Sequence, residues 1–285
     1  MSKTNYIQHM SDSGEAGFNY GDRVLMVTET GHRYFLTIRK GQVFHSSDGY
    51  FDADKIVLLE EGDEIISNIG RRGVVFRPSL LETLLSLPRR TQVTYPKDLG
   101  FILVLSGVRP GSRVVEGGTG SGVLALLLAS YAAPNGKIYS YDLDGENFPA
   151  IFRIAERLGL SSVLELKKGD LYSGVEETDV DAFIADVPQP WDAVDQAKKV
   201  LRGGGMFVSI MPTVEQMIKT SERLRERGFL EYFCGELLIR PWRVKQGMTR
   251  PHHIARAHTV FIVASRKTNA DNLSSWTLKL PDGLK

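Results

Sequence analysis

Four glycines crowd into the segment Glu116-Gly117-Gly118-Thr119-Gly120-Ser121-Gly122, which joins an apolar strand-like run to an apolar helical one. Glycine belongs where a chain turns with positive φ, or where backbone comes against a ligand with no Cβ between. The run before the loop is Arg113-Val114-Val115-Glu116, and the helical segment after it extends from Gly122 to Ala133. The alternation then continues: Lys137 to Asp142, a helix from Pro149 to Gly159, Val163 to Leu166, Asp181 to Asp186, a helix from Trp191 to Leu201, and Met206 to Met211. Thr213 to Arg227 predicts a further helix, with Gln216 at the capping-box spacing from Thr213 and Gly228 to end it. Phe229 to Ile239 and His258 to Ser265 close the domain as strands. Strands alternating with helices in this way predict an α/β fold, a doubly wound sheet with helices on both faces.

The chain upstream has a different period. From Gly21 to about Pro78, short apolar runs (24–27, 34–38, 56–59, 65–66 and 74–76) are punctuated by glycines, the pattern of a small antiparallel β-domain. Ser79 to Leu87 predicts a short helix stopped by Pro88. The organisation expected is a β-domain over 1–80, the α/β domain over 81–267, and a polar tail over 268–285 that frays.

Several functions are disfavoured. The N-terminal segment is polar, without a signal-peptide pattern, and the longest apolar stretch, Val123 to Ala133, is far short of the roughly 20 residues that span a bilayer. A soluble, cytoplasmic protein is expected, with no membrane partner. Cys234, the single cysteine, lies among Phe233, Leu237 and Leu238 and is expected to be a buried apolar residue. His252 and His253 are adjacent and so do not face one site, no acid or cysteine accompanies them, and no metal is expected. No G-x-S-x-G elbow is present for nucleophilic catalysis.

The glycine loop is spaced G-x-G-x-G, and Val123 stands where the dinucleotide fingerprint needs its last glycine, which argues against NAD. Three strand ends then supply acids in order. Asp142 is suited to the ribose hydroxyls of a nucleoside cofactor, Asp170 to an adenine amine, and Asp186 ends the fourth strand, where open α/β sheets bind ligands. Together they point to S-adenosyl-L-methionine. Pro188 and Pro190 stiffen the turn after Asp186 and would hold Trp191 and a carboxylate against a flat substrate such as an unstacked base.

The D-x-P-x-P-W segment (Asp186 to Trp191), the E-x-G-x-G-S-G loop and the upstream Arg90-Thr91-Gln92-Val93-Thr94-Tyr95-Pro96-Lys97-Asp98 together resemble the tRNA adenine-N1 methyltransferases that modify position 58 of the T-loop. The resemblance runs from the N-terminal β-domain to Arg256-Ala257-His258-Thr259. It implies a class I, Rossmann-like methyltransferase that binds S-adenosyl-L-methionine, acts on tRNA and assembles as a homotetramer. It further implies cofactor contacts from Thr94, Gly118, Gly120, Ser121, Gly122, Val123, Asp142, Asp170, Leu171 and Asp186, with Asp186 as the catalytic aspartate and Tyr95 as the tyrosine at the target base. Two positions depart from the family: Asn147 stands where a basic residue is usual, and Asp142 where glutamate is commoner.

Net charge gives no sign of RNA binding, with 35 Lys plus Arg against 34 Asp plus Glu. Locally, Arg71, Arg72, Arg77, Arg89, Arg90 and Lys97 face only Glu82 between residues 71 and 97, and residues 237–270 are rich in Arg, Lys and His with no acid. Both stretches are candidate phosphate contacts. Two other readings stay open: a class I methyltransferase acting on a protein carboxyl or small molecule, and a non-catalytic RNA-binding partner subunit.

Overall fold

The structure, a computed structural model, describes residues 17–87, 94–253, 257–277, 279 and 281–283. The chain divides into two compact units, residues 1–87 and 88–285. The first contains strands β1 (Arg23–Thr28), β2 (Arg33–Thr37), β3 (Val43–Ser46) and β4 (Gly49–Asp52), helix α1 (Ala53–Ile56), strands β5 (Glu64–Ile66) and β6 (Arg72–Phe76), and helix α2 (Leu80–Leu85). A four-stranded antiparallel sheet has the order β2-β1-β6-β5, and β3 and β4 form a separate hairpin. Phe18, Val24, Met26, Ile38, Phe51 and Ile56 fill its core.

The apolar run Ile56 to Leu59 is not the expected strand. Asp52 caps a helical turn by accepting the Asp54 amide at 2.9 Å, so Ala53 and Ile56 share the buried face while Leu58 points to solvent. Helix α2 follows its sequence signal, with Ser79 and Glu82 closing a reciprocal capping box. An Arg33–Glu82 ion pair ties α2 to β2, and the first unit thus runs past residue 80 to Leu87.

The second unit contains α3 (Pro96–Ser106), β7 (Arg113–Gly117), α4 (Val123–Ala132), β8 (Lys137–Asp142), α5 (Phe148–Arg157), β9 (Leu164–Lys168), β10 (Val180–Ala185), a 3₁₀ turn (Pro190–Ala193), α6 (Val194–Val200), β11 (Leu201–Met211), α7 (Val214–Glu226), β12 (Phe229–Gly235), β13 (Trp242–Arg243), β14 (Arg250–Pro251) and β15 (Phe261–Lys267). Its seven-stranded sheet has the order β12-β15-β11-β10-β7-β8-β9. The strands from β11 to β9 in that order are mutually parallel, and β15 runs antiparallel to both its neighbours. This is the doubly wound sheet that the alternating pattern predicts, with an antiparallel hairpin at one edge.

Several boundaries differ from expectation. Periodicity does not reveal α3, which is apolar around most of its circumference: Leu99, Ile102 and Leu105 are buried while Val104 is exposed, so no polar stripe marks it. The segment from Trp191 to Leu201 divides into the 3₁₀ turn and α6. Strand β12 ends at Gly235, short of Ile239, and β15 begins only at Phe261. The chain after Lys267 does not fray at once, since Leu273 is buried and its amide donates to the Arg225 carbonyl at 2.8 Å. Cys234 is half-buried against the core, where burial pushes its thiol up to about 11. No helix among the described residues is long and apolar enough to cross a membrane.

One carboxylate organises the first unit. Asp48 is buried and accepts hydrogen bonds from Thr30 (2.7 Å), His32 Nδ1 (2.8 Å), Thr28 (2.9 Å) and Tyr34 (3.0 Å). These bonds, that from Thr30 foremost, hold its carboxyl well below the usual range. A lowered folded-state pKa stabilises above the unfolded value and is lost as pH falls. Asp48→Asn is therefore expected to speed amide exchange in β1 and β2 of the full chain at pH 7, with the difference from wild type shrinking below pH 4; equal exchange at pH 7 would refute the role of Asp48.

Candidate active site

The order of strands reverses between β7 and β10, since β8 and β9 lie to one side of β7 while β10 lies on the other. Open sheets bind ligands at such a switch point, beyond the carboxyl ends of the strands. Here the two ends are joined by backbone. The Asp186 amide donates to the Gly117 carbonyl at 2.9 Å, and a Cβ on Gly118 would stand 2.0 Å from the Asp186 carbonyl oxygen. Gly118 also has φ of 90°, so both conformation and space demand glycine.

The rest of the loop is fastened from β8 and α5. Asp142, at the end of β8, accepts the Gly120 amide at 2.9 Å, and Asn147 donates to the Gly120 carbonyl at 2.8 Å. Asn147 is thus a brace of the glycine loop. Gly122 starts α4 with φ of 80°, and a Cβ there would meet the Ile151 side chain at 2.7 Å; this glycine serves the approach of α5 to α4. Ser121 is half-buried, whereas the Val123 side chain is in the core, leaving its backbone as the part at the loop.

Asp170 shapes its own turn by accepting the Tyr172 amide (2.9 Å) and the Ser173 hydroxyl (2.8 Å). Leu171 is buried against Gly117, where a Cβ would lie 2.4 Å from its side chain. Thr94, far upstream in sequence, reaches Asp186 Oδ2 at 3.5 Å, and Tyr95 directly after it is the N-cap residue of α3. Of the predicted set, the structure brings Thr94 and Gly118 to Asp186, Asp142 to Gly120 and Leu171 to Gly117. Lys219 of α7 lies over the Trp191 ring at 5.1 Å and so packs against the 3₁₀ turn. The proline turn is held by Tyr172, whose hydroxyl accepts the Gln189 amide at 3.1 Å, and by Gln216, which donates to the Pro188 carbonyl at 2.8 Å.

Two carboxyls carry raised pKa values. Burial lifts Asp186 to about 6, only partly offset by the hydrogen bond from Thr94. Glu116 is fully buried; burial pushes it up to about 8, the Ser140 hydroxyl bond opposes this, and the charges of Asp186 and Asp142 add to it. Its Oε1 has no hydrogen-bond partner among the described residues. In the sequence Glu116 reads only as the end of a strand. The available signal was an acid directly after the apolar pair Val114-Val115 of a strand, a residue rarely buried without a reason. Leu143, also missed, is 68% exposed immediately after Asp142 and offers an apolar face beside that carboxylate. Strand-end acids, an apolar face and a close-approach glycine loop fit a nucleoside that carries positive charge.

The basic stretches fare unequally. Arg71, Arg72 and Arg77 are paired with Glu29, Glu64, and Asp22 and Glu61, and Lys97 is buried against Asp98, so counting charge along the sequence overstated that stretch. Arg89, Arg90 and Arg256 lie outside the described residues. Arg266 and Lys267 are spent on the carbonyls of Gly204 and Leu201. Arg240, Arg243 and Lys245, at the exposed β13–β14 hairpin, have no ion-pair partner among the described residues. Among the described residues no group of three or more His, Cys, Asp or Glu side chains could hold a metal.

The profile of the tRNA methyltransferase complex GCD14 subunit matches residues 76–274, and that of the TrmI-like N-terminal domain matches 17–65. The tRNA (adenine(57)-N(1)/adenine(58)-N(1))-methyltransferase TrmI of Methanocaldococcus jannaschii is 32% identical over 269 residues, 85% of this chain and 94% of its own. The tRNA (adenine(58)-N(1))-methyltransferase TrmI of Thermus thermophilus is 28% identical over 248 residues, 87% of this chain and 97% of its own. Among solved structures, a SAM-dependent O-methyltransferase from Thermotoga maritima matches with a TM-score of 0.86 at 30% identity, covering 90% of this chain and 96% of that one. The tRNA (m1A58) methyltransferase TrmI from Aquifex aeolicus matches with a TM-score of 0.78 at 26% identity, covering 89% and 100%.

Glu116 makes stability depend on pH. Its unfolded carboxyl ionises near 4.5 and its folded one near 8, so folding takes up a proton in that window and stability falls as pH rises through it. Glu116→Gln removes this dependence. Thermal melts are expected to show the variant close to wild type at pH 5 and more stable than wild type at pH 9; a variant less stable at pH 9 would contradict a neutral Glu116.

Proposed function

The chain belongs to the tRNA methyltransferase family of the GCD14 subunit, and from this we propose that it methylates N1 of an adenine in the tRNA T-loop, at position 58 with or without the neighbouring adenine, using S-adenosyl-L-methionine. The observation that carries the proposal is the pair of family matches, to residues 17–65 and 76–274, together with a raised-pKa aspartate at the switch point.

S-adenosyl-L-methionine supplies a methyl group made electrophilic by its sulfonium sulfur. Backbone of the loop from Gly118 through Gly120, Ser121 and Gly122 to Val123 would line the methionine side, Asp142 would receive the ribose hydroxyls, and Asp170, Leu171 and Leu143 would frame the adenine ring. Thr94 and Asp186 would stand at the methyl end. Asp186 accepts a hydrogen bond from the exocyclic amine of the target base and so aims N1 at the methyl group. As N1 gains the methyl, the base becomes cationic, and the carboxylate stabilises that charge and accepts a proton from the amine. A pKa of about 6 suits this role, because the group is ionised at neutral pH yet more basic than an ordinary aspartate. Tyr95 would stack on or hydrogen-bond the flipped base. In this reading the enzyme is cytoplasmic and homo-oligomeric, a tetramer by family likeness.

A second reading, methyl transfer to an oxygen of a protein or small molecule, is favoured by the description of the Thermotoga neighbour as an O-methyltransferase. Unmodified tRNA incubated with labelled cofactor separates the two. The expected outcome is a reverse-transcription stop at a T-loop adenine, lost in Asp186→Ala with tRNA affinity retained. Label absent from tRNA but present in a protein or small-molecule acceptor would overturn the proposal. The β13–β14 hairpin is the proposed phosphate contact. Replacing Arg240 and Arg243 by Ala should weaken tRNA binding and reduce the salt slope by about 1 for each phosphate interaction removed, with cofactor affinity unchanged; an unaltered slope would remove the hairpin from the RNA surface.

A further inference from the structure

We propose that Lys97 and Thr259 close a clasp around the buried Asp98 that fixes the segment carrying Thr94 against Asp186, which makes Thr259 a positioning residue for methyl transfer; its catalytic consequence rests on the function proposed above. Asp98 is 0% exposed and the Lys97 side chain 9%, with Lys97 Nζ 2.7 Å from Asp98 Oδ1. Thr259 donates to Asp98 Oδ2 at 2.7 Å and accepts from Lys97 Nζ. A hydroxyl is the group that can do both at once. Both carboxylate oxygens are thereby engaged, and the carboxylate and the ammonium bridge to a residue 161 positions from Asp98.

Local rules do not explain this arrangement. Consecutive residues on a helix do not face each other, yet Lys97 and Asp98 meet at 2.7 Å with Thr259 bridging both. A lysine in the first turn of α3 also opposes the helix dipole. Taking an ion pair out of water costs free energy, and apolar residues in its place are often no less stable. A buried ion pair that breaks local rules belongs where geometry matters more than stability.

The geometry concerns Asp186. Pro96, Lys97 and Asp98 form the first turn of α3, and the amides of Asp98 and Leu99 both close on the Tyr95 carbonyl at 2.9 Å. Thr94, just before, touches Asp186. The far side of the clasp is equally fixed: His258 pairs with Glu236 at 2.7 Å, lies 3.2 Å from the Pro212 carbonyl and packs on Phe261. Residues 212 and 236 directly follow β11 and β12, at the edge of the sheet where Asp186 follows β10. The clasp thus ties the start of α3 to the rim of the site.

Thr259→Val keeps the shape and removes both hydrogen bonds, and Thr259→Ser keeps the hydroxyl. The valine variant is expected to lose about 10-fold in kcat on tRNA, with KM and cofactor Kd within about 2-fold, and to exchange the Asp98 and Leu99 amides about 10-fold faster. The serine variant should restore both. A purely structural role would lower the melting temperature and leave kcat per folded molecule unchanged, and that result would overturn the proposal. Should the valine variant not fold, Lys97→Met with Asp98→Leu leaves no buried charge and is judged by the same two readouts. Wild-type protein inactive on tRNA would count against the proposed function instead. Amide exchange still decides the clasp in that case, because unchanged exchange in the variant overturns it.

Discussion

Everything at the candidate site depends on one backbone contact, the approach of Gly117 and Gly118 to Asp186 across the switch point of the sheet. The amide of Asp186 is bonded to Gly117, and its carbonyl occupies the space a side chain at residue 118 would need. That contact couples the loop after β7 to the turn after β10. Asp142, Asn147 and Leu171 then pack around this pair, each touching the glycine loop from a different element. A larger residue at 118 would separate the aspartate from the loop, and the positions of the remaining groups would lose their common reference.

Around the contact, acidic groups gather at the strand ends, with Glu116 fully buried and Asp186 half-buried. Glu116 and Asp186 both have raised pKa values because burial penalises their charged forms, and Glu116 is raised further by Asp186 and Asp142. Such a site favours a positively charged ligand, which relieves the repulsion among acids. By contrast, the Lys97–Asp98 pair is charge-balanced and closed by Thr259. The two arrangements suit two tasks: an uncompensated carboxylate meets a ligand, and a compensated pair holds a segment in place.

Some of this is legible in the sequence alone. The glycine loop, the strand-end acids at 142, 170 and 186 and the proline turn are readable because each is a local pattern with one dominant physical cause. So are the caps of α2 and α7, which depend on side chains three residues apart. Other readings fail for equally physical reasons. Apolar periodicity cannot identify α3, which buries most of its circumference, nor distinguish a strand from the helical turn at Ile56. Charge counted along the chain takes Arg71, Arg72 and Arg77 for a free basic surface, although their acidic partners come from distant segments.

The sequence by itself determined the order of strands and helices from β7 to α7, the need for glycine at the loop and the identity of the acids at the strand ends, since backbone sterics and residue chemistry act over a few positions. Tertiary structure alone decided which groups meet. It brought Thr94 to Asp186, left Glu116 buried with one oxygen unpaired among the described residues, covered Trp191 with Lys219, and closed Lys97 and Asp98 around Thr259. Those outcomes depend on contacts between residues far apart in the chain and on how much water each contact excludes, and neither quantity is written in local spacing.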